Sequence, residues 1–285
     1  EKIFAAFFSK KSLMLYSPIL SILRLIILIP WIILITIMHI ILCTISRRFF
    51  FVCYKILFLG LTKIFGIKVK LTGVSKQKKV LYISNHISYL DIIILGSAVD
   101  AIFVAKSEIK KWPFINKLCA LGKTIFVERE NIKSLKEQTQ SLKQNLEVGY
   151  NIILFPEGTS SDGSKVLRFK SSLFGLINDE KLKNFYIQPI SISYNKLDGL
   201  PLVRTHRPFL AWFGAMDFVS HAWQFLGLGV SEVNIKFHKF RQFSDFTDRK
   251  QACNYCYEKI SQQIIKDFRS LEVDDKMKLN EFKFL

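Results

Sequence analysis

The chain has 285 residues, half of them hydrophobic, and its 41 Lys and Arg against 23 Asp and Glu give a formal charge of +18. Such a length and apolar content exclude a chain too small or too polar to build a core, and leave room for one large domain with an appendage. The charge points to a polyanionic partner, either nucleic acid or an anionic lipid surface.

The first predicted element decides between these partners. Residues 25 to 45, LIILIPWIILITIMHIILCTI, carry no charge and as a helix would extend about 31 Å, the thickness of a hydrocarbon core. Arg24 precedes them and Arg47 and Arg48 follow, so the distribution of basic residues sets no orientation. Pro30 predicts a kink. The next stretch, FFFVCYKILFLGLTKIFG (49 to 66), mixes aromatics with Lys55 and Lys63, which suits a helix lying in the membrane interface. Residues 1–66 are therefore read as a membrane anchor of a transmembrane and an interfacial helix, and residues 67–285 as a separate domain with a C-terminal helix. The expected partner is an anionic membrane and not nucleic acid, because lysine is spread along the chain and most phenylalanines sit inside apolar runs.

From about residue 67 short apolar runs alternate with polar, helix-like segments. Strands are predicted at 80–84, 101–105, 124–128, 151–155, 186–194 and 233–237, and helices at 89–96, 115–121, 131–147 and 173–178. The alternation implies an α/β fold, a mostly parallel sheet with covering helices. Residues 197 to 229 show no clear pattern, and an amphipathic pattern follows from Thr247 to about Leu271. The five cysteines are an odd number in apolar or helical contexts, which argues against a disulfide framework. CNYC (253 to 256) has no second pair and falls inside the amphipathic pattern, so a metal or redox role is not expected.

In a sheet of this type functional groups gather at the carboxyl ends of the strands. Asn85 and His86 directly follow VLYIS. In one continuous helix His86 and Asp91 would lie about 140° apart, so they meet only if a turn intervenes. Ser88 as a helix N-cap would allow Asp91 to face back and hold the His86 ring in one tautomer. Taken alone, Ser88 and Asp91 read more readily as an ordinary capping box beside a loop histidine, and what overturns that reading is company further along the chain. Three other strand ends add polar company: FVAKSE with Lys106, FVER with Arg129 and FPEGTSSDG with Glu157. Basic groups converging with a histidine suggest an anionic substrate. No GxSxG turn supplies a hydrolase nucleophile.

NHISYLD, FVER, FPEGT and IQPISI resemble, in order, the four motifs of the glycerolipid acyltransferase family with its HX4D signature, to which the bacterial 1-acylglycerol-3-phosphate acyltransferases belong. The resemblance covers roughly residues 67 to 240. It implies that His86 is the general base that deprotonates an acceptor hydroxyl and Asp91 its orienting acid. It further implies that Arg129, Glu157 and Gly158 bind the acceptor, with Lys106 and Thr159 as further substrate-binding candidates. An alcohol is a poor nucleophile at neutral pH, so an imidazole that takes its proton during attack on a thioester suits the chemistry.

The expected co-substrate is acyl-CoA or acyl-ACP, with a lysolipid acceptor, no cofactor and no metal. The expected location is the cell membrane, with the catalytic domain on the cytoplasmic side. Ser160 stands where many lysophosphatidate enzymes have an arginine, and the longer string FPEGTSSDGSKVLRFKSSLF resembles the branch that acylates lyso-ornithine lipid. Lys106, Arg129, Lys165 and Arg168 could still hold a phosphate. Lysophosphatidate is the first expected acceptor and lyso-ornithine lipid the second.

Overall fold

The computed structural model describes residues 16–113, 115–127 and 132–281. Helix α1 spans Pro18–Ile45, with Pro18 at its first position and the Ser17 hydroxyl accepting from the Leu20 amide at 3.3 Å. It thus begins before the apolar run and runs through both Arg24 and Pro30. Helix α2, Phe49–Ile64, turns back along it, and the Trp31 indole donates to the Leu57 carbonyl at 3.3 Å.

The sheet strands are β1 (Ile67–Thr72), β2 (Val80–Ser84), β3 (Ile102–Lys106), β4 (Ile125–Val127), β5 (Ile152–Leu154), β6 (Tyr186–Leu197) and β8 (Ser231–Phe237), with short β7 (Leu200–Pro201) and β9 (Arg241–Gln242) pairing with β6. Their order is β1-β8-β6-β2-β5-β3-β4. Every neighbouring pair on this path is parallel except β6 with β8, so the fold is the expected mostly parallel α/β sheet. The helices between strands are α3 (Leu90–Ala98), α4 (Ile115–Leu121), α5 (Ile132–Glu147) and α6 (Phe218–Leu226), and α7 (Arg249–Glu281) closes the chain. The predicted helix at 173–178 is a 3-10 segment, Ser171–Asn178.

Alternation within β2 divides the core in two. Val80 and Tyr82 face one cluster, with Tyr54, Phe58 and Leu61 of α2, Ile94 of α3 and Phe225 of α6. Leu81 and Ile83 face the other, with Leu142 and Leu146 of α5, Phe174, and Cys253, Cys256 and Ile260 of α7. Helix α2 therefore shares a core with the sheet across the expected boundary at residue 66. Cys253 and Cys256 pack inward, and desolvation pushes both thiols up, Cys253 to about 11, away from the thiolate form that metal binding or redox exchange needs.

Helix α1 lies against the same domain. Arg24 is buried and its guanidinium donates to the carbonyls of Leu226 (3.1 Å), Leu228 (2.6 Å) and Gly229 (3.3 Å), capping the end of α6. It is a docking group rather than a flank of the membrane segment. The outward face of α1, with Ile19, Ile26, Ile33, Leu34 and Ile41 among others, remains exposed and apolar.

Candidate functional site

At the carboxyl end of β2 the chain cannot continue as strand, because Asn85 substitutes for the backbone ladder. Its amide nitrogen donates to the Ile192 carbonyl and its oxygen accepts from the Ile192 N–H, both at 2.9 Å. His86 follows in a turn, and α3 begins at Leu90. Asp91, in its first turn, faces back as expected: Oδ2 accepts from His86 Nδ1 at 2.8 Å and from the amides of Ile87 (2.7 Å) and Ser88 (3.0 Å). The expected Ser88 cap does not form. The Ser88 hydroxyl is buried without a partner among the described residues, since the carboxylate of Asp91 already satisfies the amides that a cap would serve.

The fourth donor to Asp91 is the Tyr194 hydroxyl, on Oδ1 at 2.8 Å. Desolvation raises the Tyr194 pKa well above the usual range, with the Asp91 charge adding to it, so the phenol stays a donor. Four hydrogen bonds on a fully buried carboxylate fix its direction. A proton held on Nδ1 leaves Nε2 of His86 as the lone-pair nitrogen. The His86 side chain is 19% exposed and Asp91 0%, so of the pair only His86 is accessible.

Glu157 and Gly158 build the loop beside this pair. Glu157 is buried, and its carboxyl bridges two backbone segments: Oε1 accepts from the His86 N–H at 2.8 Å and Oε2 from the Leu167 N–H at 2.9 Å. Desolvation pushes its carboxyl up to about 8, opposed by these two amides and reinforced by the Asp91 charge. Gly158 has φ +79°, and a Cβ there would meet Lys170 Nζ at 3.0 Å, so the tight turn excludes a side chain. Thr159 is exposed. Phe155, which opens the motif, stacks under the His86 ring at 4.2 Å and 21°.

His86, Lys106, Thr159 and Ser160 line one cavity of about 700 Å³. Its wall is mostly apolar, and one stripe of α1 (Leu25, Leu28, Ile32, Ile35, Thr36, His39) forms a side of it at the spacing of a single helix face. A ladder of rings runs from His86 through Phe155, Phe103, Phe58 and Tyr54 of the wall, and on through Phe50, which does not line it, to His39. Phe155 to Phe103 is 6.4 Å, Phe103 to Phe58 6.4 Å, Phe58 to Tyr54 4.5 Å, Tyr54 to Phe50 5.6 Å and Phe50 to His39 5.4 Å. Such a space accepts a hydrocarbon chain with its reactive end at His86. Arg129 lies outside the described residues, and Lys165 and Arg168 are exposed away from the cavity wall. Tyr194, Phe155 and Lys170 were not singled out from sequence. The signal for Tyr194 was its alternation with Ile190 and Ile192, which puts all three on one face of β6.

The family model described as Acyltransferase matches residues 66–193. The lyso-ornithine lipid O-acyltransferase of Rhizobium meliloti (strain 1021) is 34% identical over 204 residues, 70% of each chain. The 1-acyl-sn-glycerol-3-phosphate acyltransferase of Neisseria gonorrhoeae is 30% identical over 149 residues, 52% of this chain and 56% of that relative. The crystal structure of the 1-acyl-sn-glycerophosphate (LPA) acyltransferase PlsC from Thermotoga maritima superposes with a TM-score of 0.62 over 87% of this chain and 94% of its own, at 21% identity, which is a likeness of fold.

Proposed function

Because the chain belongs to the acyltransferase family, we propose that it transfers a fatty acyl group from acyl-CoA or acyl-ACP to the free hydroxyl of a lysolipid at a membrane surface. The observation that carries this reading is the buried Asp91 fixing His86 Nδ1 while His86 lines the mouth of an apolar cavity. The donor's acyl chain lies in the cavity with its thioester at His86. Nε2 takes the acceptor's hydroxyl proton as that oxygen attacks the thioester carbonyl. The tetrahedral intermediate collapses with loss of the carbon–sulfur bond, and the imidazolium returns the proton to the leaving thiolate. Asp91 stabilises the imidazolium between these steps.

The acceptor is proposed to be lyso-ornithine lipid. Relatives of that name match 66–70% of the chain, and Ser160 on the cavity wall cannot make the charge-assisted contact to phosphate that an arginine makes. Lysophosphatidate is the second reading, favoured by Lys106 on the cavity wall and Lys170 against Gly158. The apolar face of α1 seats the domain in the cell membrane, with the active site on the cytoplasmic side where the donor is made.

The purified full-length chain, offered both lysolipids with either donor, tests this. His86→Ala is expected to lower turnover by about two to four orders of magnitude, and retention of most activity would remove the base assignment. Ser160→Arg is expected to improve kcat/KM for lysophosphatidate and weaken it for the ornithine lipid, whose headgroup carries an amine. A wild-type preference for lysophosphatidate of tenfold or more would reverse the order of acceptors.

A further inference from the structure

Behind the loop of Thr159 and Ser160 lies a buried charge that the mechanism above does not use. Arg207, in the 3-10 turn Arg204–Phe209, is 4% exposed. Its Nη1 donates to the Asp162 carbonyl at 3.3 Å, its guanidinium sits 3.9 Å over the ring of Phe268 in α7, and its Nε has no hydrogen-bond partner among the described residues. Desolvation pushes its pKa down to about 10, with Asp162 partly offsetting that shift. A charge compensated so thinly is a poor means of filling space, since an apolar side chain of similar volume would cost less to bury.

What Arg207 touches leads directly to His86. The Ser161 N–H donates to the His86 carbonyl at 3.0 Å, and the Gly163 N–H donates to the Ser161 hydroxyl at 3.2 Å. Gly163 has φ +70°, and a Cβ there would lie 2.9 Å from Ile87 Cδ1 and 3.2 Å from Arg207 Nη1, so guanidinium, loop and Ile87 are in close contact. From the other side, the Leu210 and Ala211 amides donate to the Arg207 carbonyl, and the Trp212 N–H donates to the Ile87 carbonyl at 3.0 Å. Two segments that meet at Arg207 thus hold the two successive carbonyls of His86 and Ile87.

We propose that Arg207 is a positioning residue: held over Phe268 of α7, it presses Ser161–Gly163 against the backbone of His86 and so sets where the base stands. This rests on His86 being the base. It gives the C-terminal helix a part in catalysis, although among the described residues none of α7 lines the cavity. A shift of the base of about an ångström costs turnover without changing how either substrate binds.

The test uses the full-length enzyme in mixed micelles with acyl-CoA and whichever lysolipid it acylates. Arg207→Gln and Phe268→Leu are each expected to lower kcat about tenfold with both KM values within about twofold. Phe268→Tyr, which keeps a ring under the guanidinium, is expected to retain wild-type kcat, and the Arg207→Gln/Phe268→Leu double variant to be no slower than the slower single variant, because the two act through one contact. Unchanged kcat in Arg207→Gln, multiplicative losses in the double variant, or a smaller active fraction at normal turnover per active site would each overturn the proposal. If Arg207→Gln does not fold, the Phe268 pair decides alone, and equal loss in Phe268→Tyr and Phe268→Leu overturns it. His86→Ala is run alongside: activity surviving there defeats the base assignment itself, whereas an inactive His86→Ala with a normal Arg207→Gln defeats only the positioning role.

Discussion

Tyr194 shows how much of the chemistry depends on groups that never meet substrate. Its hydroxyl is the only donor on Asp91 Oδ1 among the described residues, so Tyr194→Phe leaves one oxygen of a buried carboxylate unsatisfied. Losing a hydrogen bond to a charged group costs about 1.5–3 kcal/mol, and in the proposed reaction the loss falls on the residue that stabilises the imidazolium. A fall in kcat of about one to two orders of magnitude with KM unchanged is expected, and steady-state kinetics on the single variant decides it. Glu157 makes a second residue-scale prediction. Its carboxyl rises from 4.5 to about 8 on folding, so between those values the unfolded chain releases the proton while the folded chain keeps it. Stability contributed by the protonated form is complete below 4.5, is lost as pH rises, and levels off above about 8. The melting temperature of wild type minus that of Glu157→Gln is therefore expected to fall from pH 5 to pH 8, and a difference independent of pH would refute the shift.

At the scale of elements, the two N-terminal helices, proposed as the anchor, also supply cavity wall and core. Tyr54, Phe58, Leu61 and Phe65 are buried against the sheet, and each apolar side chain withdrawn from water contributes about 1.5–3 kcal/mol. Removing residues 1–66 is expected to give an aggregating product rather than a free catalytic domain, since it uncovers Phe103, Ile94 and Leu95 on the other side of that contact. Size-exclusion chromatography without detergent checks this, and a monomeric, active 67–285 fragment would contradict it. Arg24 supplies the register between α1 and α6 through three carbonyls. Arg24→Leu strands these acceptors and is expected to lower the melting temperature by several degrees, at about 2–4 °C per kcal/mol for a chain of this size.

Across the whole molecule, two properties suit the proposed attachment to a bilayer, the apolar outer face of α1 and the charge of +18. They respond differently to salt. At 1 M the Debye length is about 3 Å, which removes attraction to anionic headgroups but leaves hydrophobic burial intact. Flotation with vesicles is expected to retain the full chain at 1 M salt on neutral and anionic lipid alike, with faster association on anionic lipid at low salt. Release by salt alone would mean that the exposed face of α1 is not lipid-bound.

Sequence by itself determined the elements whose periodicity is local. The alternation of strands and helices, the apolar N-terminal helix and the HX4D pair were readable because each depends on neighbours within a few residues. β1, IKVKLT, carries the same period-2 signal but sits at a sheet edge with mixed burial, and it is absent from the predicted strands. Only the tertiary structure decided what converges from afar: Tyr194 on Asp91 across 103 positions, Arg24 on the end of α6 across more than 200, and Arg207 between the FPEGT loop and α7. It also showed that Glu157 binds backbone amides and that Asp91 does the work expected of Ser88. A motif states which side chains share a turn, but which of their atoms remain free for substrate depends on donors and acceptors brought in from distant strands. That pairing is fixed only when the sheet closes.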